Sequence, residues 1–372
     1  MKRSVDSKKP FVKSLNIHDI PMQRSIILFE SAIKSKYTKN TYKLTLDRFR
    51  KHYIIKDFDS LVSIEPKKIQ EMIENYVLYL RNENKSHGLV KCVVCSLELF
   101  FSMNDITLNW KKVKKMYPEK RKPIGEKPYT TEQVNQILKL TNNLKYHAFV
   151  NFMCASGVRV GCFEELKVRD ISDWKDGSKL VRVYSGSMQE YYTFIHSEAS
   201  QVLDDYFEYR KKKGEIITGD SWVFPQKNNT EKPISPQSLV AGFCRLTSKV
   251  LERKKFEGRF ETMATHGFRK RFATVLKSNK EINLSISEKL LGHSTTIQLD
   301  NVYFKPTLDV MYEEYQKAIP ELVLSESMKL KLELEKKNNE LSSLESKENR
   351  IEQLENTLSR IVLNLNELKS RS

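Results

Sequence analysis

Five side chains in the second half of the chain could together transfer a phosphoryl group without a metal ion. They are two arginines, two histidines and a tyrosine: Arg159, His266, Arg269, His293 and Tyr303. The planar guanidinium group matches two phosphate oxygens, so a pair of them can neutralise a phosphate that becomes more negative under attack. A tyrosine phenol has an ordinary pKa of about 10, so it needs such cations nearby to become a nucleophile. The set predicts a site in which Tyr303 attacks a phosphodiester.

These residues stand in short motifs that follow one another in a fixed order. The motifs are Ala155-Ser156-Gly157-Val158-Arg159, His266-Gly267-Phe268-Arg269, Leu290-Leu291-Gly292-His293 and Asn301-Val302-Tyr303-Phe304. In this order they resemble the conserved boxes of the tyrosine recombinases, the phage-integrase-like family. The resemblance covers roughly residues 25 to 320. Downstream, Lys305-Pro306-Thr307 and Tyr312-Glu313-Glu314-Tyr315 are similar to archaeal members of that family.

The resemblance implies a role for each matched residue. Arg159 and Arg269 would bind the scissile phosphate, and His293 would donate to one of its oxygens. His266 would hydrogen-bond the phosphate and help to take the tyrosine proton. Tyr303 would attack, giving a 3′-phosphotyrosine and a free 5′-hydroxyl, with no cofactor. The implied partners are double-stranded DNA carrying a specific recombination site and further copies of the chain, a tetramer on DNA.

Two positions depart from the family pattern. The family places a lysine in the hairpin turn after the first arginine box, as the general acid for the leaving 5′-oxygen, whereas residues 185–189 contain none. Lys175 and Lys179 precede the turn and are poor substitutes by position. The family usually has an acidic residue three positions after the first arginine, and in this chain that position is occupied by a cysteine, Cys162. A missing general acid costs about 10²–10⁴ in rate.

Several alternatives remain open at this stage. Taken singly, Arg159 could cap a helix, His266 could begin one, and Tyr303 could be an ordinary half-buried aromatic residue. Tyr312 and Tyr315 are rival nucleophiles, but they fall on a following helical pattern. The whole chain could be a site-specific recombinase or integrase, a non-cleaving DNA-binding protein on the same scaffold, or an enzyme like the type IB topoisomerases. The ordered set of residues favours the recombinase.

Composition agrees with a nucleic-acid partner. The 372 residues carry a formal net charge of +17, which favours binding to a polyanion because condensed counterions are released. No run of about 18 apolar residues occurs, so no membrane span is predicted. We expect a cytoplasmic, nucleoid-associated protein. The Cys92-x-x-Cys95 pair has no partner pair for zinc and fits two positions on one helix face.

The pattern of elements predicts a mainly α fold with a small β-sheet: a helical core-binding domain, a tyrosine-recombinase-like catalytic domain and a C-terminal coiled coil. The predicted segments are a flexible basic tail (1–22), an all-helical DNA-binding domain (23–116), a linker (117–128), the catalytic domain (129–322) and a coiled-coil extension (323–372).

Helix and strand signals support this division. In the first domain we predict helices over 25–34, from a Thr38 cap, from Pro66 and from Ser86 to about 103. In the second, Thr130 begins a capping box, a helix over 146–156 stops at Gly157, and strands 180–184 and 191–195 form a hairpin. Further helices are expected near 198–212 and 236–251.

Apolar residues near the C-terminus recur at spacings of three and four: Ile351, Leu354, Leu358, Ile361, Leu365 and Leu368. Leu330, Leu334, Leu341 and Leu344 extend the series upstream, with an irregular step near Lys347. A heptad seam with polar residues outside it predicts a coiled coil. The alternative is one amphipathic helix lying on its own domain.

Overall fold

The computed structural model describes residues 23–120, 127–248, 255–256, 259–293 and 303–370. The chain divides into two compact units, Met1–Lys122 and Pro123–Ser372. Helices dominate both, and the second unit adds small antiparallel sheets. The predicted fold class, mainly α with a small sheet, is confirmed.

All regular secondary structure in the described part of the first unit is helical. They are α1 (Arg24–Ser31), α2 (Lys36–His52), α3 (Phe58–Val62), α4 (Pro66–Asn82), α5 (His87–Met103) and α6 (Trp110–Lys115). Pro66 occupies the first turn of α4, where its missing N–H costs no hydrogen bond. The Ser86 side chain accepts from the Leu89 N–H and caps α5. Both of these predicted helix starts are confirmed.

Two details of the first unit differ from the prediction. The cap of α2 is Ser35, not Thr38, because Ser35 has an extended backbone and its hydroxyl accepts from the Thr38 N–H, which already lies in the helix. Helix α1 ends at Ser31 rather than at residue 34. Cys92 and Cys95 are free thiols on one face of α5, as the spacing indicated.

The second unit contains the remaining elements. Its helices are α7 (Thr131–Lys139), α8 (Leu144–Ser156), α9 (Ser197–Lys212), α10 (Pro236–Thr247), α11 (His266–Ser278), α12 (Leu284–Leu290), α13 (Leu308–Gln316), α14 (Ile319–Leu322) and α15 (Glu326–Ser370). Its strands are β1 (Ile171–Asp173), β2 (Lys179–Val183), β3 (Tyr191–Ile195), β4 (Pro225–Gln226), β5 (Asn229–Pro233), β6 (Lys255–Phe256) and β7 (Arg259–Phe260). The end of the helix predicted over 236–251 lies outside the described residues.

The predicted hairpin is present as β2 and β3, with Leu180 opposite Phe194. Sequence reasoning missed β1, which adds a third antiparallel strand through Ile171 and Val181 and is only three residues long. It also extended β2 by one residue too many, because Tyr184 has a left-handed backbone (φ +56°) that ends the strand.

Helix α8 is the centre of the second unit. Every residue from Ala148 to Ser156 is buried, and α8 packs against α9 and α11. The Thr130 capping box opens α7, and Gly157 ends α8 in the left-handed conformation, both as predicted. A central helix buried on all sides holds its C-terminal end in a fixed place, and that end carries the first motif.

The last helix, α15, has 45 residues. The apolar residues of the predicted seam for which side chains are described, from Leu330 to Ile361, are between 53% and 64% exposed. They therefore do not lie on the body of the chain, and the coiled coil stays a prediction. No helix among the described residues is long and apolar enough to cross a membrane.

Gly157 supplies a stability prediction. Its φ is +60°, and a Cβ built on it would lie 2.2 Å from Cδ1 of Phe272 in α11. We expect Gly157→Ala to lower the free energy of unfolding by about 3 kcal/mol, since left-handed strain and overpacking add.

Gly214→Ala is the matched control. Its φ is +89°, but a Cβ there meets nothing within 4 Å, so we expect a loss of only about 1 kcal/mol from strain. Urea denaturation of both variants measures the difference, and equal losses would contradict the close packing of α8 on α11.

Candidate active site

Arg269 joins the first and third motifs. It lies on α11, is 4% exposed, and donates from Nη1 to the carbonyl of Gly157 and from Nη2 to the carbonyl of Leu291, each at 2.6 Å. These carbonyls stand at the C-terminal ends of α8 and α12, where unpaired carbonyl groups carry partial negative charge. A buried cation thus holds two helix ends together.

Arg159 approaches the same turn from the surface. It follows Gly157, and its Nη1 donates to the carbonyl of Gly292 at 3.2 Å. Burial, and then the nearby charge of Arg159, lower the pKa of the Arg269 guanidinium. Two guanidiniums close enough to repel one another form a local excess of positive charge, which an anion would relieve.

A Schellman motif positions His293. Helix α12 ends at Leu290, Gly292 is left-handed (φ +59°), the Gly292 N–H donates to the Lys289 carbonyl at 2.9 Å, and the His293 N–H donates to the Glu288 carbonyl at 3.0 Å. This closure folds the chain back over the last turn of α12. It therefore brings the imidazole of His293 over the side chain of Glu288.

The imidazole is held on both sides. Its Nδ1 lies 2.7 Å from Glu288 Oε2, and its Nε2 lies 2.8 Å from Nη2 of Arg269. Burial lowers the pKa of His293, although the hydrogen bond to Glu288 opposes that shift. The network assigns the Nδ1–H as donor to Glu288 and the Nε2 lone pair as acceptor from Arg269.

Glu288 is ionised in this arrangement. Burial acts to raise the pKa of its carboxyl, but hydrogen bonds from Lys277 and His293 outweigh burial and leave that pKa below its ordinary value. Sequence reasoning missed Glu288. The signal was the Leu-Leu-Gly-His ending, because a glycine-closed helix end brings the second residue beyond the cap over the turn that contains Glu288.

The β2–β3 hairpin contributes two tyrosines that sequence reasoning also missed. A Cβ built on Gly292 would lie 2.4 Å from the ring of Tyr191, so this ring packs directly on the glycine. Burial raises the pKa of Tyr191. Burial raises the pKa of Tyr184 to about 12, while the charge of Arg159 opposes the shift. Tyr184 and Tyr191 of the hairpin therefore lie close enough to Arg159 and Arg269 to feel their charges.

The lysines before the hairpin turn are engaged elsewhere. Lys179 pairs with Asp173 at 2.6 Å and with Asp204 at 3.1 Å, and Lys175 pairs with Asp309. These ion pairs agree with the expectation that neither Lys175 nor Lys179 takes the place of a lysine in the turn. Cys162 is fully buried.

His266 and Tyr303 are exposed, as Arg159 is. His266 begins α11 and lies one turn before Arg269, so the two share a helix face. Tyr303 is 81% exposed. Residues 294–302 lie outside the described part of the chain, and the contacts of the described residues do not join Tyr303 to the arginines.

The rival tyrosines are occupied in the interior. Tyr312 is 1% exposed, and its hydroxyl donates to the Lys175 carbonyl at 3.0 Å. Tyr315 is fully buried, and its hydroxyl donates to the Ala155 carbonyl at 2.9 Å. Neither phenol is accessible to a phosphodiester.

Among the described residues, no group of three His, Cys, Asp or Glu side chains could hold a metal ion.

Comparison with known proteins gives consistent matches. Residues 128–307 match the Phage integrase family model. A curated protein from Sinorhizobium fredii (strain NBRC 101917 / NGR234), named "Putative integrase/recombinase y4qK", is 25% identical in an alignment of 197 residues, and the alignment covers 47% of this chain and 61% of that protein. The chain thus spans less than two thirds of this relative's length.

Two solved structures share the fold. The Tn1549 transposon integrase in complex with circular intermediate DNA has a TM-score of 0.52 and 16% identity, over 79% of this chain and 99% of that chain. A variant of that integrase in complex with transposon right end DNA has a TM-score of 0.50 and 18% identity, over 79% and 98%. With the curated relative and this shared fold, the match over residues 128–307 supports assignment of the chain to the phage-integrase family, the tyrosine recombinases.

Proposed function

We propose that this chain is a site-specific DNA recombinase or integrase that cleaves and rejoins DNA strands through Tyr303. The observation that carries the proposal is the convergence of Arg159, Arg269 and His293 on the turn that ends α12. That cluster has the charge and the donors to bind a phosphodiester. The related Tn1549 integrase was solved with DNA bound, which supports double-stranded DNA as the partner here.

The electrostatics favour an anion at this cluster. Arg269 is buried and has Arg159 as a like-charged neighbour, and both effects disfavour its charged form. A phosphate between the two guanidiniums would offset the repulsion between Arg159 and Arg269, because each cation would then face a negative group. The electrostatic gain grows as the phosphate becomes more negative in the transition state, so the site would favour the attacked form over the resting diester.

The chemical step would proceed as follows. The phenolic oxygen of Tyr303 attacks phosphorus, a phosphorus–tyrosine ester bond forms, and the bond to the 5′-oxygen breaks. His266 takes the phenolic proton, and the 5′-oxygen takes a proton from water or an acid. The covalent ester retains the energy of the phosphodiester, so a second 5′-hydroxyl can reverse the step without ATP. Four copies on two duplexes would complete an exchange.

His293 would change its hydrogen bonds during this step. In the resting site its Nε2 accepts from Arg269, so it has no proton for a phosphate. To donate to a phosphate oxygen, Nε2 must be protonated, and the charges of Glu288 and of the phosphate both favour that imidazolium form. Phosphate binding would therefore be coupled to proton uptake at His293.

One observation favours a second function, sequence-specific DNA binding without cleavage. The described turn between β2 and β3 contains no lysine, and Lys175 and Lys179 are paired with carboxylates. A protein without a general acid for the 5′-oxygen could bind a site and leave it intact. The following experiment separates the two functions.

We predict that the wild-type protein forms a covalent adduct with DNA and that Tyr303→Phe does not. The substrate is a nicked duplex whose sequence is first selected from a random pool by binding to Tyr303→Phe, so that cleavage cannot bias the selection. Adduct is read as protein that stays on labelled DNA in a denaturing gel.

Tyr312→Phe is the matched control, since its buried hydroxyl is a rival nucleophile. We expect it to form adduct and to lose about 1 kcal/mol of stability. Specific binding with no adduct from the wild type would support the non-cleaving function, and an adduct from Tyr303→Phe would exclude Tyr303 as nucleophile.

We further predict a pH-dependent defect in Glu288→Gln. The carboxylate of Glu288 opposes the effect of burial on His293, so its loss lowers the pKa of His293 further. Since one pKa unit corresponds to tenfold in the protonated fraction, adduct formation at pH 7.5 should slow by about tenfold or more and recover in part at pH 6.

Glu281→Gln serves as the control, because Glu281 is an exposed carboxylate outside this network. Glu281→Gln should keep the adduct rate and the DNA affinity of the wild type within about twofold at both pH values. A Glu288→Gln defect that is the same at every pH from 6 to 8 would contradict the protonation of His293.

A further inference from the structure

The long helix α15 exposes a stripe of apolar side chains along its described part. At 1.5 Å per residue, its 45 residues extend about 67 Å. The eight exposed members of the stripe with described side chains are Leu330, Leu334, Leu341, Leu344, Ile351, Leu354, Leu358 and Ile361. Exposed apolar residues at heptad spacing along one helix mark a surface that needs a helical partner.

The base of this helix is fixed to the body of the chain. Glu198 accepts from the N–H groups of Leu324 and Ser325, each at 2.8 Å, and Asn135 donates to the Leu324 carbonyl at 3.1 Å. Arg271, two residues after Arg269 on α11, donates to the Glu321 carbonyl at 2.6 Å. The segment before α15 therefore belongs to the core that carries the active-site cluster.

The charge of α15 argues against DNA as its partner. Residues 326–370 contain eight lysines and arginines and nine glutamates, whereas the whole chain has a net charge of +17. A nearly neutral helix gains little from counterion release. Its surface is typical of a protein interface in which charged residues flank an apolar seam.

The flanking charges fit a second copy of the same helix. With Ile351 and Leu358 at the a positions and Leu354 at d, Arg350 occupies g and Glu355 occupies the following e. In a parallel, in-register pair, residue g of one helix faces the next e of the other, so Arg350 faces the partner's Glu355 twice by symmetry. Near the base of α15, Glu326 at g would face Lys331 at the next e of the partner helix, which again pairs opposite charges.

The middle of the helix fits less well. In the upstream register Lys337 falls on the seam, and Glu340 would face the partner's Glu345. The step near Lys347 interrupts the heptads, which changes the local winding of a coiled coil. The pairing should therefore rest mainly on the distal seam that begins at Ile351.

We propose that α15 pairs in parallel with α15 of a second copy, so that this protein is already a dimer before it meets DNA. The partner is thus a second copy of the chain. The proposal does not depend on the chemistry of Tyr303, since α15 is separate from the active-site cluster.

The test measures the mass of the full chain in solution without DNA. After nuclease treatment and in high salt, sedimentation equilibrium at micromolar concentration should give twice the 43.6 kDa chain mass. Leu354→Glu combined with Leu358→Glu should give the monomer, with the thermal transition of the body unchanged. Gln353→Glu combined with Asn356→Glu adds the same charges off the seam and should leave the dimer intact.

A charge exchange tests the orientation. Arg350→Glu and Glu355→Arg should each weaken the dimer severalfold, and the double variant should restore its dissociation constant to within about twofold of wild type. A monomeric wild type, or a dimer indifferent to the two seam glutamates, would overturn the pairing. A seam-dependent dimer that the double variant does not restore would overturn the parallel register.

Tyr303→Phe distinguishes this proposal from the proposed function. It should remain a dimer even though it forms no adduct. If the wild type forms no adduct but is a dimer that depends on the seam, the proposed function fails while the pairing of α15 stands.

Discussion

The arrangement of Arg159, Arg269 and His293 depends on one buried interaction, the pair of hydrogen bonds from Arg269 to the carbonyls of Gly157 and Leu291. These carbonyls end two helices, where the backbone has acceptors without partners inside the helix. Removing the guanidinium would leave both acceptors unsatisfied in a buried place, at a cost of about 1–3 kcal/mol each. The same side chain also contacts His293. Structure and proposed chemistry thus share one residue, and a substitution there affects both.

Close approach at two glycines makes that interaction possible. Gly157 lets the ring of Phe272 reach the end of α8, and Gly292 lets the ring of Tyr191 reach the end of α12. Both glycines are left-handed, so each ends its helix and turns the chain at once. The first motif is thereby held against α11, and the third motif is held against the hairpin. A side chain at either position would separate the elements that carry Arg159 and His293.

The cluster is electrostatically incomplete without an anion. Arg269 is disfavoured as a cation by burial and by Arg159, and His293 is disfavoured as a cation by burial and by Arg269. Glu288 offsets part of this excess but is shared with Lys277. A phosphate would add attractions that outweigh these repulsions, so two basic groups with lowered pKa values are suited to a negatively charged ligand. The excess positive charge of the chain lies outside α15, whose charges nearly cancel.

The sequence alone determined the fold class, the capping box at Thr130, the hairpin and the order of the motifs, because these depend on local preference and on side-chain periodicity. The motifs also predicted that Arg159, Arg269 and His293 share one site, and in the structure Arg159 and Arg269 both contact the turn that ends in His293. Sequence reasoning placed the cap of α2 at Thr38 and missed β1, since neighbouring hydroxyl residues compete for a cap and a three-residue strand has no period to detect. Only the tertiary structure decided that Glu288 holds His293, that Tyr191 packs on Gly292 and that Tyr312 and Tyr315 are buried. Those contacts join residues from separate elements, and packing between elements is not encoded in the spacing within any one of them.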